Sequence, residues 1–230
     1  MRIAMWSGPR NLSTAMMYSF GARSDFEVMD EPFYAAYLAG TGVDHPMRAD
    51  ILATHETDAN RVVQSFVQTQ GHPHLYMKHM PHHMLEAFPL DWAKACVNVH
   101  LIRHPARVIA SYAAKRANPS LEEIGFHQQV NLYKQLGGVV VDSFDVRFDP
   151  ESTLRRLCAA IGLPFDPAML SWQPGPRPED GVWAQHWYGT VHQSTGFASA
   201  EGPLPALEPH LQLLCDQVLD AYSYLADRKI

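Results

Sequence analysis

Short apolar runs alternate with longer amphipathic stretches along this chain, a pattern that predicts buried strands separated by helices. The predicted strands are Ile3–Trp6, Phe26–Met29, Leu75–Lys78, Val97–Ile102 and 139–141. The predicted helices are Leu12–Phe20, a short aromatic helix from Pro32, Asn60–Gln70, a helix from Pro105, 120–136, 150–162 and 206–226. Because strands and helices alternate, the pattern indicates an α/β fold, a doubly wound and mainly parallel sheet between two helical layers.

The chain shows no internal repeat and no clear domain boundary, so we expect residues 1–230 to form a single domain. Residues 40–56 contain Gly, Pro and His and are predicted to form a surface loop or lid. A Pro- and Gly-rich stretch, 173–181, precedes an aromatic loop. We expect 173–230 to be a C-terminal loop and helix that complete the site.

Composition narrows the class of protein. A hydrophobic fraction of 47% and a charged fraction of 18% are ordinary for a globular domain. The net charge of −6 argues against nucleic acid as a partner, so any phosphate recognition must be local. The three cysteines are far apart, and no apolar run has the length of a signal peptide or a membrane span. We therefore expect a cytoplasmic protein with no membrane partner.

The segment "SGPRNLST" joins the first predicted strand to its helix. Such a loop lies at the carboxyl end of a parallel sheet, where its N–H groups and the positive helix end suit a phosphate. Arg10 would add charge, Ser13 and Thr14 would add hydroxyl donors, and Asn11 or Ser13 could cap the helix. The ATP-loop pattern G-x-x-x-x-G-K-[ST] is absent, which disfavours a Mg-nucleotide kinase. The alternative is a tight turn with an exposed arginine.

A second phosphate signal follows in "LIRHPARVIASY". Arg103 ends a predicted strand, and Ser111 lies two turns into the next helix, so the pair could hold one phosphate between them. Taken alone, Arg103 is equally compatible with a surface salt bridge and Ser111 with helix packing.

Together these segments resemble sulfotransferases that use 3′-phosphoadenosine-5′-phosphosulfate (PAPS). "GPRNLST" is similar to their 5′-phosphosulfate loop, Arg103 and Ser111 match their 3′-phosphate contacts, and "DPESTLRRLCAAIGLPFDPAMLSW" resembles a helical stretch of the family. The resemblance covers most of residues 1–172 and implies a P-loop NTPase-like fold of the sulfotransferase type. It implies a set of cofactor-binding residues: Pro9, Arg10, Asn11, Leu12, Ser13, Thr14, Arg103 and Ser111.

The segment "LYMKHMPHHML" resembles the family's "KTHLP" stretch, which carries a catalytic histidine. The match assigns the base to His79 with Lys78 beside it, although one residue is missing between them. Arg10 or Lys78 could absorb charge on the leaving phosphate. Glu31 in "DEPF" is the rival base, since some branches of the superfamily use a glutamate. The alternative for Glu31 and its neighbour Asp30 is a helix cap.

Histidines crowd one segment, which contains His72, His74, His79, His82 and His83 among the chain's 13. A metal site is the alternative interpretation, but no Cys, Asp or Glu spacing supports it. His82 and His83 are expected to be loop residues or acceptor contacts. The family's C-terminal arginine-lysine-glycine contact has no recognisable counterpart. Two groups of candidates remain there without a motif: His192, Gln193, Ser194 and Thr195 for the cofactor, and Trp183, Trp187 and Tyr188 for the acceptor.

The sequence thus predicts an enzyme that moves a sulfuryl group from PAPS to a hydroxyl or amine of a small molecule. It would release 3′,5′-adenosine bisphosphate (PAP) and need no metal. Two alternatives stay open at this point, a P-loop phosphotransferase and a non-catalytic nucleotide-binding module.

Overall fold

A computed structural model describes residues 1–66, 72–116 and 118–230. Its sheet contains five parallel strands: β1 Arg2–Ser7, β2 Phe26–Asp30, β3 His74–His79, β4 Val97–Ile102 and β5 Val139–Asp142. The strands lie in the order β2-β3-β1-β4-β5. The predicted strands are confirmed with ends that differ by a residue or two, and the mainly parallel sheet is parallel throughout.

Strand order positions the site. The chain leaves β1 toward β2 and β3 on one side of the sheet and later builds β4 and β5 on the other. A crevice therefore opens between the carboxyl ends of β1 and β4, where sheets of this kind bind ligands. The loop that follows Ser7 and the turn that follows Ile102 border this crevice.

Helices cover both faces of the sheet. Their bounds are α1 Ser13–Gly21, α2 Tyr34–Thr41, α3 Arg48–Thr54, α4 Ala59–Ser65, α5 Pro105–Ala113, α6 Leu121–Ile124, α7 Phe126–Leu136, α8 Ser143–Phe148, α9 Pro150–Ala160, α10 Ala184–Trp187, α11 Gly189–His192 and α12 Pro209–Ala226. Single 3₁₀ turns occupy Pro81–His83, Asp91–Ala95 and Pro167–Leu170.

Some predicted helix boundaries were wrong. The aromatic helix starts at Tyr34 rather than Pro32, and the predicted loop 40–56 contains α3. The helix predicted over 120–136 is two helices, because Gly125 between them has φ 70°. The helix predicted over Asn60–Gln70 starts at Ala59, and its last four residues lie outside the described part of the chain.

Alternating strand residues feed two opposite cores. Ile3 and Met5 of β1 pack with α1 and α9 on one face, while Ala4 and Trp6 pack with α2 and α4 on the other. All four are fully buried, as expected for a central parallel strand. Helices α5, α7 and α12 complete the second face beside β5. The predicted three layers are therefore confirmed.

Candidate active site

A cavity of about 340 Å³ lies at the carboxyl ends of the strands, within the size range of small-molecule sites. It brings together residues that are far apart in the sequence. Its lining includes all the predicted cofactor residues and three of the four predicted catalytic ones: Pro9, Arg10, Asn11, Leu12, Ser13, Thr14, Glu31, Lys78, Arg103 and Ser111.

The loop before α1 has an unusual backbone. Arg10 and Leu12 adopt positive φ angles of 62° and 74°, and Leu12 is the N-cap residue. No side chain among the described residues caps this helix, so the predicted cap at Asn11 or Ser13 was wrong. The N–H groups of the first turn have no intrahelical acceptor and lie where the helix end is positive. An uncapped helix end at a cavity wall fits an anionic group such as phosphosulfate.

Arg10 connects the two predicted phosphate signals. Its Nε donates to Oγ of Ser111 at 3.0 Å, and its carbonyl oxygen accepts a 2.6 Å hydrogen bond from Nη1 of Arg103. Burial and the nearby guanidinium of Arg103 lower the pKa of Arg10. Two arginines therefore share one wall of the cavity, and an anion between them would relieve their repulsion.

Two buried amides hold the crevice in shape. Nδ2 of Asn11 donates to the carbonyl of Leu101 at 3.3 Å. Nε2 of Gln129 on α7 donates to the carbonyls of both Trp6 and Leu101 at 3.0 Å, joining the ends of β1 and β4. Gln129 was not predicted from the sequence, since a glutamine in an amphipathic helix carries no motif. Its two hydrogen bonds join β1 to β4, and only the strand order makes these two strands neighbours.

Lys78 belongs to a buried polar network. Its register partner on β2 is Asp30, and Nζ of Lys78 lies 2.9 Å from Oδ1 of that residue. Nζ also lies 2.5 Å from Oε1 of Glu31 and 2.6 Å from the hydroxyl of Tyr188. Burial disfavours the charged amine, but the two carboxylates outweigh it and raise the pKa of Lys78. The lysine is thus a fixed cation, and Asp30 and Glu31 are its partners rather than a helix cap.

Glu31 is the carboxylate at the cavity. It follows β2 with φ 43°, and its N–H donates to the carbonyl of Lys78 at 2.9 Å. Burial raises the pKa of Glu31, although Lys78 acts in the opposite direction. A raised pKa makes a carboxylate a better proton acceptor for a hydroxyl.

His79 points away from the cavity. Successive strand residues face opposite sides of a sheet, so His79 cannot share the environment of Lys78. Its imidazole is 1% exposed and lies 4.7 Å from the Trp6 ring and 4.9 Å from the Trp92 ring. Burial lowers the pKa of His79 to about 3. Within the described chain, its neighbours Lys78 and Met80 line the cavity and His79 does not. The structure therefore corrects the expectation that His79 faces the site.

Histidine and tyrosine rings form the wall beside Glu31. The ring of His83 stacks on Tyr34 at 4.5 Å and on Tyr37 at 4.8 Å. His82 and His45 also line the cavity. Burial lowers the pKa of His82 to about 3 and that of His45 to about 4, so these rings are neutral near pH 7. The residues described in the structure contain no cluster of three His, Cys, Asp or Glu that could hold a metal ion.

The C-terminal segment also contributes to the cavity lining. Trp187, Tyr188 and Ser194 line the cavity, whereas Trp183 is buried behind it, with Nε1 donating to Asp30 at 3.1 Å. Two other candidates, Gln193 and Thr195, are exposed. His192 pairs with Asp180 instead, its Nε2 lying 2.9 Å from that carboxylate. Among the described residues, His192 is not part of the cavity lining.

Two further arginines adjoin the Arg103 end of the cavity. Arg107 on α5 and Arg147 on α8 surround the carboxylate of Glu201 together with Arg103. None of Arg107, Arg147 and Glu201 was predicted from the sequence. One signal was readable in part, because Arg107 and Ser111 are spaced by four and share one face of α5, while Arg103 lies just before that helix.

Comparison with known proteins gives a family. A sequence model described as a sulfotransferase domain matches residues 1–227. Branched-chain-amino-acid aminotransferase-like protein 2 of Arabidopsis thaliana is 39% identical over 232 residues, which cover 97% of this chain and 41% of that protein. The corresponding protein 1 of the same plant is 41% identical over 203 residues, covering 86% of this chain and 36% of that protein. This chain thus spans well under half the length of both relatives.

Solved structures agree on the fold. A sulfotransferase from Alicyclobacillus acidocaldarius is 12% identical with a TM-score of 0.57, over 99% of this chain and 96% of that one. The sulfotransferase domain of the curacin biosynthetic pathway is 16% identical with a TM-score of 0.55, over 94% and 96%. Mouse sulfotransferase SULT7A1, solved with PAP, is 9% identical with a TM-score of 0.53, over 98% and 85%. No helix within the described residues is both long and apolar enough to cross a bilayer.

Proposed function

Because this chain belongs to the sulfotransferase domain family, we propose that it transfers a sulfuryl group from PAPS to a hydroxyl or amine of a small molecule. One observation carries the proposal. Arg10 reaches Ser111 across the crevice between β1 and β4, so the loop after β1 and the helix after β4 form one continuous wall, which would suit an anion. The carboxylate of Glu31 and the ammonium of Lys78 line the same cavity.

The donor end of the proposed site consists of backbone and arginine groups. The first-turn N–H groups of α1, with the side chains of Ser13 and Thr14, would bind the 5′ phosphosulfate. Arg103 and Ser111 would bind the 3′-phosphate, a group that a plain ATP enzyme has no need to hold. Bound PAPS supplies an activated sulfuryl group and a stable leaving group, PAP. Arg10 would stabilise the negative charge that develops on that leaving group.

Glu31 is the proposed base. It would accept the proton of the acceptor hydroxyl as the acceptor oxygen forms its bond to sulfur and the sulfur–oxygen bond to the leaving phosphate breaks. Lys78 is held by Asp30 and Tyr188 and keeps the Glu31 carboxylate in place. We propose that His79 packs beneath the site and is not the base. The aromatic and histidine wall beside Glu31 would exclude water and contact the acceptor.

Binding and turnover test the proposal separately. We expect PAP to bind with higher affinity than 5′-AMP in isothermal titration calorimetry, and the Arg10→Ala variant to bind PAP more weakly. Arg155→Ala is the matched control, because Arg155 is an exposed arginine paired with Glu151 on α9. Turnover is measured as PAP release from PAPS with a panel of phenols, alcohols and amines. Binding of ATP with Mg²⁺ in preference to PAP would support a phosphotransferase instead. PAP binding without turnover on any acceptor would support a non-catalytic module.

A further inference from the structure

A carboxylate of the chain itself occupies a site made by three arginines. Oε1 of Glu201 lies 2.6 Å from Nη1 of Arg147 and also pairs with Nη2 of Arg103. Its second oxygen, Oε2, lies 3.0 Å from Nε of Arg107. The Glu201 side chain is only 2% exposed. It fills a position where three cationic side chains converge.

The segment that carries Glu201 is otherwise exposed. Residues 198–200 and 202–204 have no regular structure and face solvent. Two of their carbonyls reinforce the contact, since Ser199 accepts from Nε of Arg147 at 2.9 Å and Gly202 accepts from Nη2 of Arg107. The segment is therefore held mainly by one buried carboxylate and two polar contacts. Its displacement would expose little apolar surface.

Charge and donor count favour a larger anion than a carboxylate. Three guanidinium groups and one carboxylate leave two positive charges, and a phosphate monoester carries about −1.5 to −2 at pH 7. Nε of Arg103 is buried and has no hydrogen-bond partner in the described part of the chain. A carboxylate offers two acceptor oxygens, whereas a phosphate offers three. The arginine site is thus only partly satisfied by Glu201.

The arginine site is continuous with the cavity. Arg103 and Arg147 line the cavity together with Ser111, and Nη1 of Arg103 donates to the carbonyl of Arg10. We propose that Arg103, Arg107 and Arg147 bind the ribose phosphate of the donor nucleotide, an inference that rests on the proposed function. We also propose that Glu201 occupies this site until that phosphate displaces it. Glu201 then acts as an internal competitor. A nucleotide without the ribose phosphate leaves the segment 198–204 in place.

The test uses Glu201→Gln, with Glu208→Gln as the matched control because Glu208 is an exposed glutamate just beyond this segment, at the start of α12. Calorimetry measures PAP and 5′-AMP binding to each protein. If Glu201 leaves the arginines free for a tenth of the time or less, the variant binds PAP about tenfold or more tightly than the wild type. The affinity for 5′-AMP stays the same, and Glu208→Gln resembles the wild type. Unchanged or weaker PAP binding to Glu201→Gln would overturn the proposal.

Two further measurements separate this proposal from the proposed function. If no protein binds either nucleotide, the proposed function fails, and inorganic phosphate becomes the probe. Tighter phosphate binding by Glu201→Gln than by the wild type would still support the arginine site, and equal binding would refute it. If Glu201→Gln does not fold, Glu201→Asp keeps the charge but shortens the side chain by one methylene. It should also tighten PAP binding, and a failure to do so would count against the proposal.

Discussion

Nε of Arg10 donates to Oγ of Ser111 at 3.0 Å, across 101 positions of the chain. This bond spans the crevice between β1 and β4. It joins the loop after β1 to helix α5, so that both form one wall of the cavity. Nη1 of Arg103 extends the wall by donating to the carbonyl of Arg10 at 2.6 Å. The two arginines differ in what each would contact, which makes their effects separable.

We expect Arg103→Ala to weaken the preference for a ribose phosphate. Charge-assisted hydrogen bonds contribute roughly 1.5–3 kcal/mol each, so the wild type should bind PAP at least about tenfold more tightly than 5′-AMP. In Arg103→Ala that ratio should decrease, while 5′-AMP binds as before and Arg107 and Arg147 keep part of the preference. Calorimetry with both nucleotides measures the ratio. Equal affinity of the wild type for the two nucleotides would contradict the 3′-phosphate assignment.

Arg10→Ala should lower affinity and turnover together. Arg10 stands at the 5′ end of the proposed donor and also supports Ser111, so its loss affects both ground state and transition state. We expect PAP affinity to fall about tenfold or more and PAP release to fall further. Arg155→Ala should leave both quantities unchanged. Normal PAP binding by Arg10→Ala would mean that the loop is a turn without a binding role.

Glu31→Gln should abolish most turnover while PAP binding persists. Loss of a general base typically costs about 10²–10⁴-fold in rate. The comparison variant is His79→Phe, which keeps an aromatic ring between Trp6 and Trp92 and should retain turnover within a few fold. Steady-state assays and calorimetry on both variants decide the matter. An inactive His79→Phe that binds PAP normally, beside an active Glu31→Gln, would return the base to His79.

Buried histidines should make the protein sensitive to acid. Burial lowers the pKa of His79 to about 3 and the pKa values of His45 and His100 to about 4, below the 6.5 of an unfolded chain. The fold therefore favours the neutral rings. Their contribution to stability is complete above about pH 6.5 and is lost as the pH falls toward the folded pKa values, because the unfolded chain then binds more protons. Within that pH window, each ring lowers the free energy of unfolding by about 1.4 kcal/mol for every unit by which the pH falls.

Thermal unfolding followed by circular dichroism between pH 7.5 and pH 4.5 measures this effect. We expect the midpoint to fall steeply below pH 6.5. His100→Gln, which removes one titrating ring, should give a shallower decrease, whereas His210→Gln should not, because His210 is exposed. A midpoint that stays constant down to pH 5 would show that the histidines titrate normally in the fold.

The sequence predicted the fold well, because the fold depends on local patterns. Apolar runs located the strands. The loop after β1, Arg103 and Ser111 do line one cavity, and their binding of an anion stays a prediction. The side chain that faces the cavity was harder to predict, since a sequence match at "KHMP" cannot show which of two consecutive strand residues points toward it. Only the register of β3 against β2, where Lys78 pairs with Asp30, decides this. Glu201 could not be predicted either, because its contacts depend on how a loop without regular structure returns to α5.

The separate origin of the two cavity walls has a consequence for protein engineering. Residues 9–14 with Arg103 and Ser111 form one wall, and residues between 187 and 198 form another. A combinatorial library confined to the second stretch leaves the proposed nucleotide contacts untouched, so variants can be screened with a single donor. Tyr188 must stay constant in such a library, because its hydroxyl lies 2.6 Å from Nζ of Lys78, the cation that also contacts Glu31. The remaining positions of the second stretch can therefore be varied while Tyr188 is kept.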